Sequence, residues 1–175
     1  MSEEKIFKVA PSGVDYALKC KRCLWLAYKG IKLDVFFPPI FNAFDLIQKK
    51  FLINKSVKTM SNDLPDGRIM TELSGFIGST ILKDNNGRSF IISGKTDVVV
   101  EFNTKPKKYG IIDLKTTNIN PSKIENYKLQ LESYATIFLN PNTKTPKFSN
   151  IEELGLYLFE PKEITNISNN VCNMK

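Results

Sequence analysis

There is no histidine among the 175 residues, and its absence excludes Ser-His-Asp and Cys-His triads, histidine general bases and zinc sites that need imidazole. Any chemistry in this chain has to run on carboxylates, lysine, tyrosine or cysteine. Cysteine is also scarce, at three residues: Cys20, Cys23 and Cys172. That odd number, together with an N-terminal stretch MSEEKIFKVAPSG that has no apolar signal region, favours an intracellular, reducing location. No apolar run approaches the ~20 residues of a membrane span. A soluble, cytoplasmic protein with no membrane partner is expected.

Acidic charge is the minority sign. Lysine plus arginine number 25 against 18 acidic residues, for a net charge of +7 and a pI near 9.2. Such a surface attracts polyanions, nucleic acid first among them. The alternative is a lysine-rich surface that only keeps the protein dispersed. With 42% hydrophobic and 25% charged residues, the chain reads as one globular domain over residues 1–175.

Hydrophobic periodicity orders that domain. After Pro11, SGVDYALKCKRCLWLAYKG has helical spacing through Val14, Ala17, Leu18, Leu24, Trp25 and Tyr28, with Ser12 as N-cap and Gly30 as the stop. Beyond Pro38-Pro39, a second helix is predicted with Ile40, Phe44, Ile47 and Phe51 on its apolar face, and Asp45 within it. SVKTMSNDLPDGR (56–68) reads as an exposed connection. Three β-branched and aromatic segments follow, TELSGFIGSTILK, SFIISGKTDVVVEF and YGIIDLKTT, separated by the turn signals DNNGR and NTKPKK. A third helix opens at Pro121 and stops at Asn140-Pro141, and LGLYLFEP is a last strand. The tail, residues 164–175, is expected to be flexible. The fold class is therefore α/β (α+β), a central mixed sheet flanked by helices in the order α-α-β-β-β-α-β.

Within IIDLKTT, side chains two apart share a strand face, so Asp113 and Lys115 point one way and Ile112 and Leu114 the other. The same rule puts Asp97, Val99 and Glu101 opposite Val98, Val100 and Phe102. Two carboxylates brought to one point repel each other unless a cation joins them. A hard divalent ion such as Mg²⁺ or Mn²⁺ suits that role, because it takes oxygen ligands, keeps several waters and acidifies them. Lys115 is then placed to orient or deprotonate such a water, or to stabilise charge developing on a phosphate. The alternative is a surface ion pair worth ~0–1 kcal/mol.

GKTD (94–97), IIDLKTT (111–117) and YKLQLESY (127–134), in that order on strand, strand and helix, resemble the motifs of the PD-(D/E)XK nuclease superfamily, in its RecB-like and Cas4-like branch. Those motifs run G-x-x-D, D-x-K and Q-x-x-x-Y, and the resemblance covers about residues 10–160. It implies a restriction-endonuclease-like core and a metal-dependent nuclease that hydrolyses phosphodiester bonds of DNA, of RecB-like exonuclease type, with Mg²⁺ or Mn²⁺ as cofactor. It makes Asp97 and Asp113 metal ligands, the Leu114 carbonyl a further ligand and Lys115 the catalytic lysine. Gln130 and Tyr134 match its helix motif and share a helix face with Tyr127 a turn earlier, as groups to contact the scissile strand or hold Lys115; the alternative is that Tyr134 is a half-buried packing residue and Gln130 a surface one.

The branch's early G-x-x-H motif is replaced here by Asn42 to Asp45, so Asp45 stands as the substitute metal ligand or as a solvated helix residue, with Glu72 a weaker substitute. Four cysteines bind an iron–sulfur cluster in Cas4-like members, and one chain with three cysteines cannot build it. Free thiols are expected at Cys20 and Cys23. The basic stretch 19–29 and the Lys105–Lys108 turn are candidate grips on a DNA backbone. A second function class stays open: a catalytically inactive nucleic-acid-binding module with this fold in a repair, phage or CRISPR-associated assembly. A small-molecule phosphohydrolase would need a phosphate-cradling glycine loop, which is missing.

Overall fold

A computed structural model describes residues 6–31, 38–70, 75–120, 124–168 and 171–174. Glu72 and the predicted helix start at Pro121 lie outside them. The strands are β1 (Phe7–Val9), β2 (Gly67–Met70), β3 (Phe76–Gly78), β4 (Leu82–Lys83), β5 (Ser89–Lys95), β6 (Val98–Phe102), β7 (Lys108–Thr116), β8 (Ile151–Phe159), β9 (Ile164–Ser168) and β10 (Val171–Met174). The helices are α1 (Asp15–Lys19), α2 (Lys21–Tyr28), α3 (Pro39–Leu52) and α4 (Ile124–Leu139). They flank two mixed sheets. One runs β2-β6-β7-β8, antiparallel except for the β7–β8 pair; the other centres on β5, parallel to β1 and antiparallel to β3 and β4. Among the described residues no helix is long and apolar enough to cross a membrane.

The alternation read in the sequence separates two cores. Val99 and Ile111 face Leu131, Tyr134, Ile137 and Phe138 of α4. Val98, Val100, Phe102, Ile112 and Leu114 face Leu52, Val57 and Ile69 on the other side. A strand covered on both faces tolerates a charge only where another charge or a donor meets it. Fully burying side chains such as Phe138 and Ile137 contributes about 1.5–3 kcal/mol each, and this fixes α4 across β7, with α4 as the crossover that parallel β7 and β8 require.

Four expectations are corrected. The first helix is interrupted: Cys20, at φ −155° and ψ 88°, leaves helical space between α1 and α2 and caps α2 by accepting from the Cys23 N–H. That bend brings the Cα atoms of Cys20 and Cys23 to 5.3 Å, and the two form a disulfide instead of free thiols. The segment SFIISGKTDVVVEF is two strands in two sheets, broken at Thr96-Asp97. Apart from these, residues 164–168 and 171–174 pair as the antiparallel hairpin β9–β10.

The fourth correction concerns α3. Its inward residues are Gln48 and Leu52, with Phe44 half-buried and its ring 6.1 Å from that of Phe159 on β8, while Ile47 and Phe51 are 61% and 57% exposed. The helix is turned away from its most apolar stripe because its polar side chains have partners inside. Gln48 Nε2 donates to Thr116 Oγ1 at 2.8 Å, which keys α3 to the end of β7.

Candidate active site

Asp113 and Lys115 stand on the same face of β7, as the strand period requires, and the Lys115 ammonium lies 2.6 Å from Asp113 Oδ2. Asp113 is only 2% exposed. Its Oδ1 accepts from Gln130 Nε2 of α4 at 3.1 Å. Its Oδ2, although ion-paired, receives no well-directed hydrogen bond and is an orphaned buried acceptor. Burial pushes the Asp113 carboxyl up to about 6; the Lys115 charge opposes this and the adjacent Asp97 carboxylate adds to it.

Asp97 sits in the break between β5 and β6, and the break gives it its position. β6 begins one residue later, so the Leu114 N–H has no ladder partner there and donates to Asp97 Oδ2 at 2.9 Å. In extended backbone the N–H and C=O of one residue face the same neighbour, so the Leu114 carbonyl also faces the Asp97 side. Leu114, Asp97 and Lys115 line a cleft of about 410 Å³, whose opposite wall is Asp45, Gln48 and Lys49 of α3.

Sequence reasoning missed Lys49 and Gln48. The Lys49 ammonium is 2.7 Å from Asp97 Oδ1 and 2.8 Å from Asp45 Oδ2, joining the two acids across the cleft. Burial disfavours its charge, but the two carboxylates outweigh that and hold its pKa above the ordinary lysine value. The only sequence signal was the Asp45/Lys49 spacing of four, which reads as an ordinary exposed helix pair. Asp45 thus reaches the cleft, with its side chain 42% exposed, and touches Asp97 only through Lys49.

Gln130 and Tyr134 are brought to the site, and both are buried. Their side chains hold groups other than Lys115: Gln130 donates to Asp113, and Tyr134 donates to the Lys95 carbonyl at 2.7 Å. A longer contact of 3.5 Å joins Gln130 Nε2 to Tyr134 Oη. Burial, ahead of the nearby carboxylates, pushes the Tyr134 phenol up to about 12, so it remains a hydrogen-bond donor at neutral pH. Tyr127 is the residue beside Lys115, whose ammonium lies 5.0 Å from its ring centroid.

No protein-family model, curated protein or solved structure matches this chain. The functional reading therefore rests on the site.

Among the described residues no three acidic or thiol groups stand close enough together to hold a metal ion; Lys49 lies between Asp45 and Asp97, and Lys115 is paired with Asp113. The donor set nevertheless suits a hard divalent cation. Asp97 and Asp113 are adjacent carboxylates, one with an orphaned oxygen, and the Leu114 carbonyl faces the same side. Asp45 lies one ammonium away. Three carboxylates against two ammoniums leave an excess negative charge for such an ion to neutralise.

Proposed function

We propose that the chain is a metal-dependent nuclease with a restriction-endonuclease-like core, hydrolysing phosphodiester bonds of DNA in the manner of RecB-like exonucleases. The observation that carries this reading is that Asp97, Asp113 and Lys115, the residues that match the family's motifs, come together: Asp97 and Lys115 line one cleft, and Asp113 is buried beside them, ion-paired to Lys115 and held from behind by Gln130. Asp97, Asp113 and the Leu114 carbonyl would hold Mg²⁺ or Mn²⁺, with Asp45 as the candidate fourth donor. When bound, the ion supplies Lewis acidity, neutralising phosphate charge and acidifying water.

The chain's own residues have separable roles. Lys115 presents an ammonium at the cleft surface, where it orients the attacking water and stabilises charge developing on the phosphate oxygens. Gln130 fixes the rotamer of Asp113, and Tyr134 fixes the end of β5, two residues before Asp97. Exposed Lys21, Arg22 and Lys29 on α2 and its C-cap offer contacts to a DNA backbone. The Lys105–Lys108 turn contributes less than its charge suggests, because Lys107 and Lys108 are paired with Glu101 and Glu152.

Labelled single- and double-stranded DNA incubated with the protein in Mn²⁺, Mg²⁺ or EDTA tests the reading. Degradation that needs the metal and is lost in Lys115→Ala supports it. Equal, metal-independent degradation by both proteins would sink it. A second reading, an inactive nucleic-acid-binding module, is favoured by one observation: Lys49 already satisfies Asp97 and Asp45 without a metal. DNA binding with no metal-dependent cleavage under any of these conditions would establish that reading instead.

A further inference from the structure

Asp97, a carboxylate in the cleft wall, is fully engaged. One oxygen takes the Leu114 N–H and the other takes the Lys49 ammonium. The first bond is backbone and belongs to the fold. The second comes from a long side chain on another element, and it can be exchanged. Lys49 is 23% exposed and Asp97 16%, so the pair is half-buried at the cleft wall, open to water on one side.

The position of Lys49 is built. Gln48, the preceding residue, is 92% buried and anchored through Nε2 to Thr116, one residue beyond Lys115. This anchor sets the rotation of α3 and so aims Lys49 at Asp97. The other end of the Gln48 amide, Oε1, is buried with no partner beside the cleft. An acceptor left unsatisfied in this way costs stability, and a donor entering the cleft would relieve it.

We propose that Lys49 is the resident counter-ion of this site: it competes with a divalent cation for Asp97, and the cation binds by displacing the Lys49 ammonium into the cleft. This inference rests on the nuclease reading only in requiring that a divalent cation binds Asp97. An ammonium and a divalent cation at the same carboxylate oxygen repel each other, so binding of one weakens binding of the other. The displaced ammonium stays on α3 at the cleft wall, where a phosphate would be an anion within its reach.

Calorimetric titration with Mn²⁺ of the wild type and Lys49→Met is the test, with thermal melts in EDTA confirming that both are folded. Removing the competitor should tighten Mn²⁺ binding on the order of tenfold. A second measurement needs no variant. With lysine side chains isotopically labelled, the Lys49 ammonium signal of the wild type should move as Mg²⁺ is added and return when EDTA removes it. Mn²⁺ affinity in Lys49→Met equal to or weaker than that of the wild type, or a Lys49 signal unmoved by saturating Mg²⁺, overturns the competition while leaving the metal site intact. Absence of binding in both proteins overturns the metal reading itself, and the competition falls with it.

Discussion

Tyr134 Oη donates to the carbonyl of Lys95 at 2.7 Å, linking the middle of α4 to the strand end two residues before Asp97. The phenol is buried and is linked to Asp97 through the backbone. Tyr134→Phe should cost about 0.5–1.5 kcal/mol of stability, the ordinary worth of one hydrogen bond. It should also weaken Mn²⁺ binding measured by calorimetry. Unchanged metal affinity would show that the tether does not position Asp97.

Gly94, first residue of the G-x-x-D motif, is where this part of the fold has least room. A Cβ there would lie 2.7 Å from Pro11 Cδ and 3.4 Å from the Tyr134 ring. The proline ring cannot swing aside, so strain should pass to β5 and to the Tyr134 tether. Gly94→Ala is expected to destabilise by about 1–3 kcal/mol, as overpacking typically does. Urea unfolding checks it, and a midpoint equal to the wild type would show that Pro11 yields.

The parts legible in the sequence are those where local pattern and tertiary packing agree. β6 and β7 are buried on both faces, so strand parity alone separated Asp113 and Lys115 from Ile112 and Leu114, and the two cores follow that division. The face of α3 was not legible. Its apolar residues Ile47 and Phe51 point outward, and its inward rotation is set by the partners of Gln48 and Lys49, which lie about 50 to 70 residues away. The break at Asp97 was hidden for a related reason: apolar strand-forming residues lie on both sides of it, with no proline to mark it, and only the Leu114 N–H opposite, which donates to Asp97, shows why an acid belongs there. The bend at Cys20 likewise left no helix-breaking residue to read.

Lys115 pairs with Asp113 and lies beside Tyr127, but Asp97 takes its hydrogen bonds from Leu114 and Lys49, so removing Lys115 should leave most of the metal site standing. Lys115→Met is expected to lower DNA cleavage by about a hundredfold or more, the scale seen when one charge-stabilising donor is lost. Mn²⁺ affinity should be retained or tightened, because a cation beside Asp113 has gone. Parallel loss of affinity and cleavage would show that Lys115 builds the site instead of acting in it.

Asp113 gives the site a pH signature. Its carboxyl titrates near 6 in the folded protein against 3.8 ordinarily, burial being the main cause. The folded state therefore holds this proton more tightly than the unfolded chain does. Stability from this group is present below pH 4, is lost as pH rises from about 4 to 6, and changes little above that. One pKa unit is worth 1.36 kcal/mol, so the loss has an upper bound of about 3 kcal/mol. Asp113→Asn stays neutral throughout. In EDTA it should match the wild type near pH 4 and exceed it in stability at pH 7.5, while losing DNA cleavage. Adding Mn²⁺ at pH 7.5 should raise the melting temperature of the wild type, because the ion compensates the buried charge, and have little effect on the variant. Urea unfolding at pH 4, 6 and 7.5 checks the slope. If both proteins lose stability equally across that window, the Asp113 charge is already fully compensated by Lys115, and the site has no unmet demand for a metal ion.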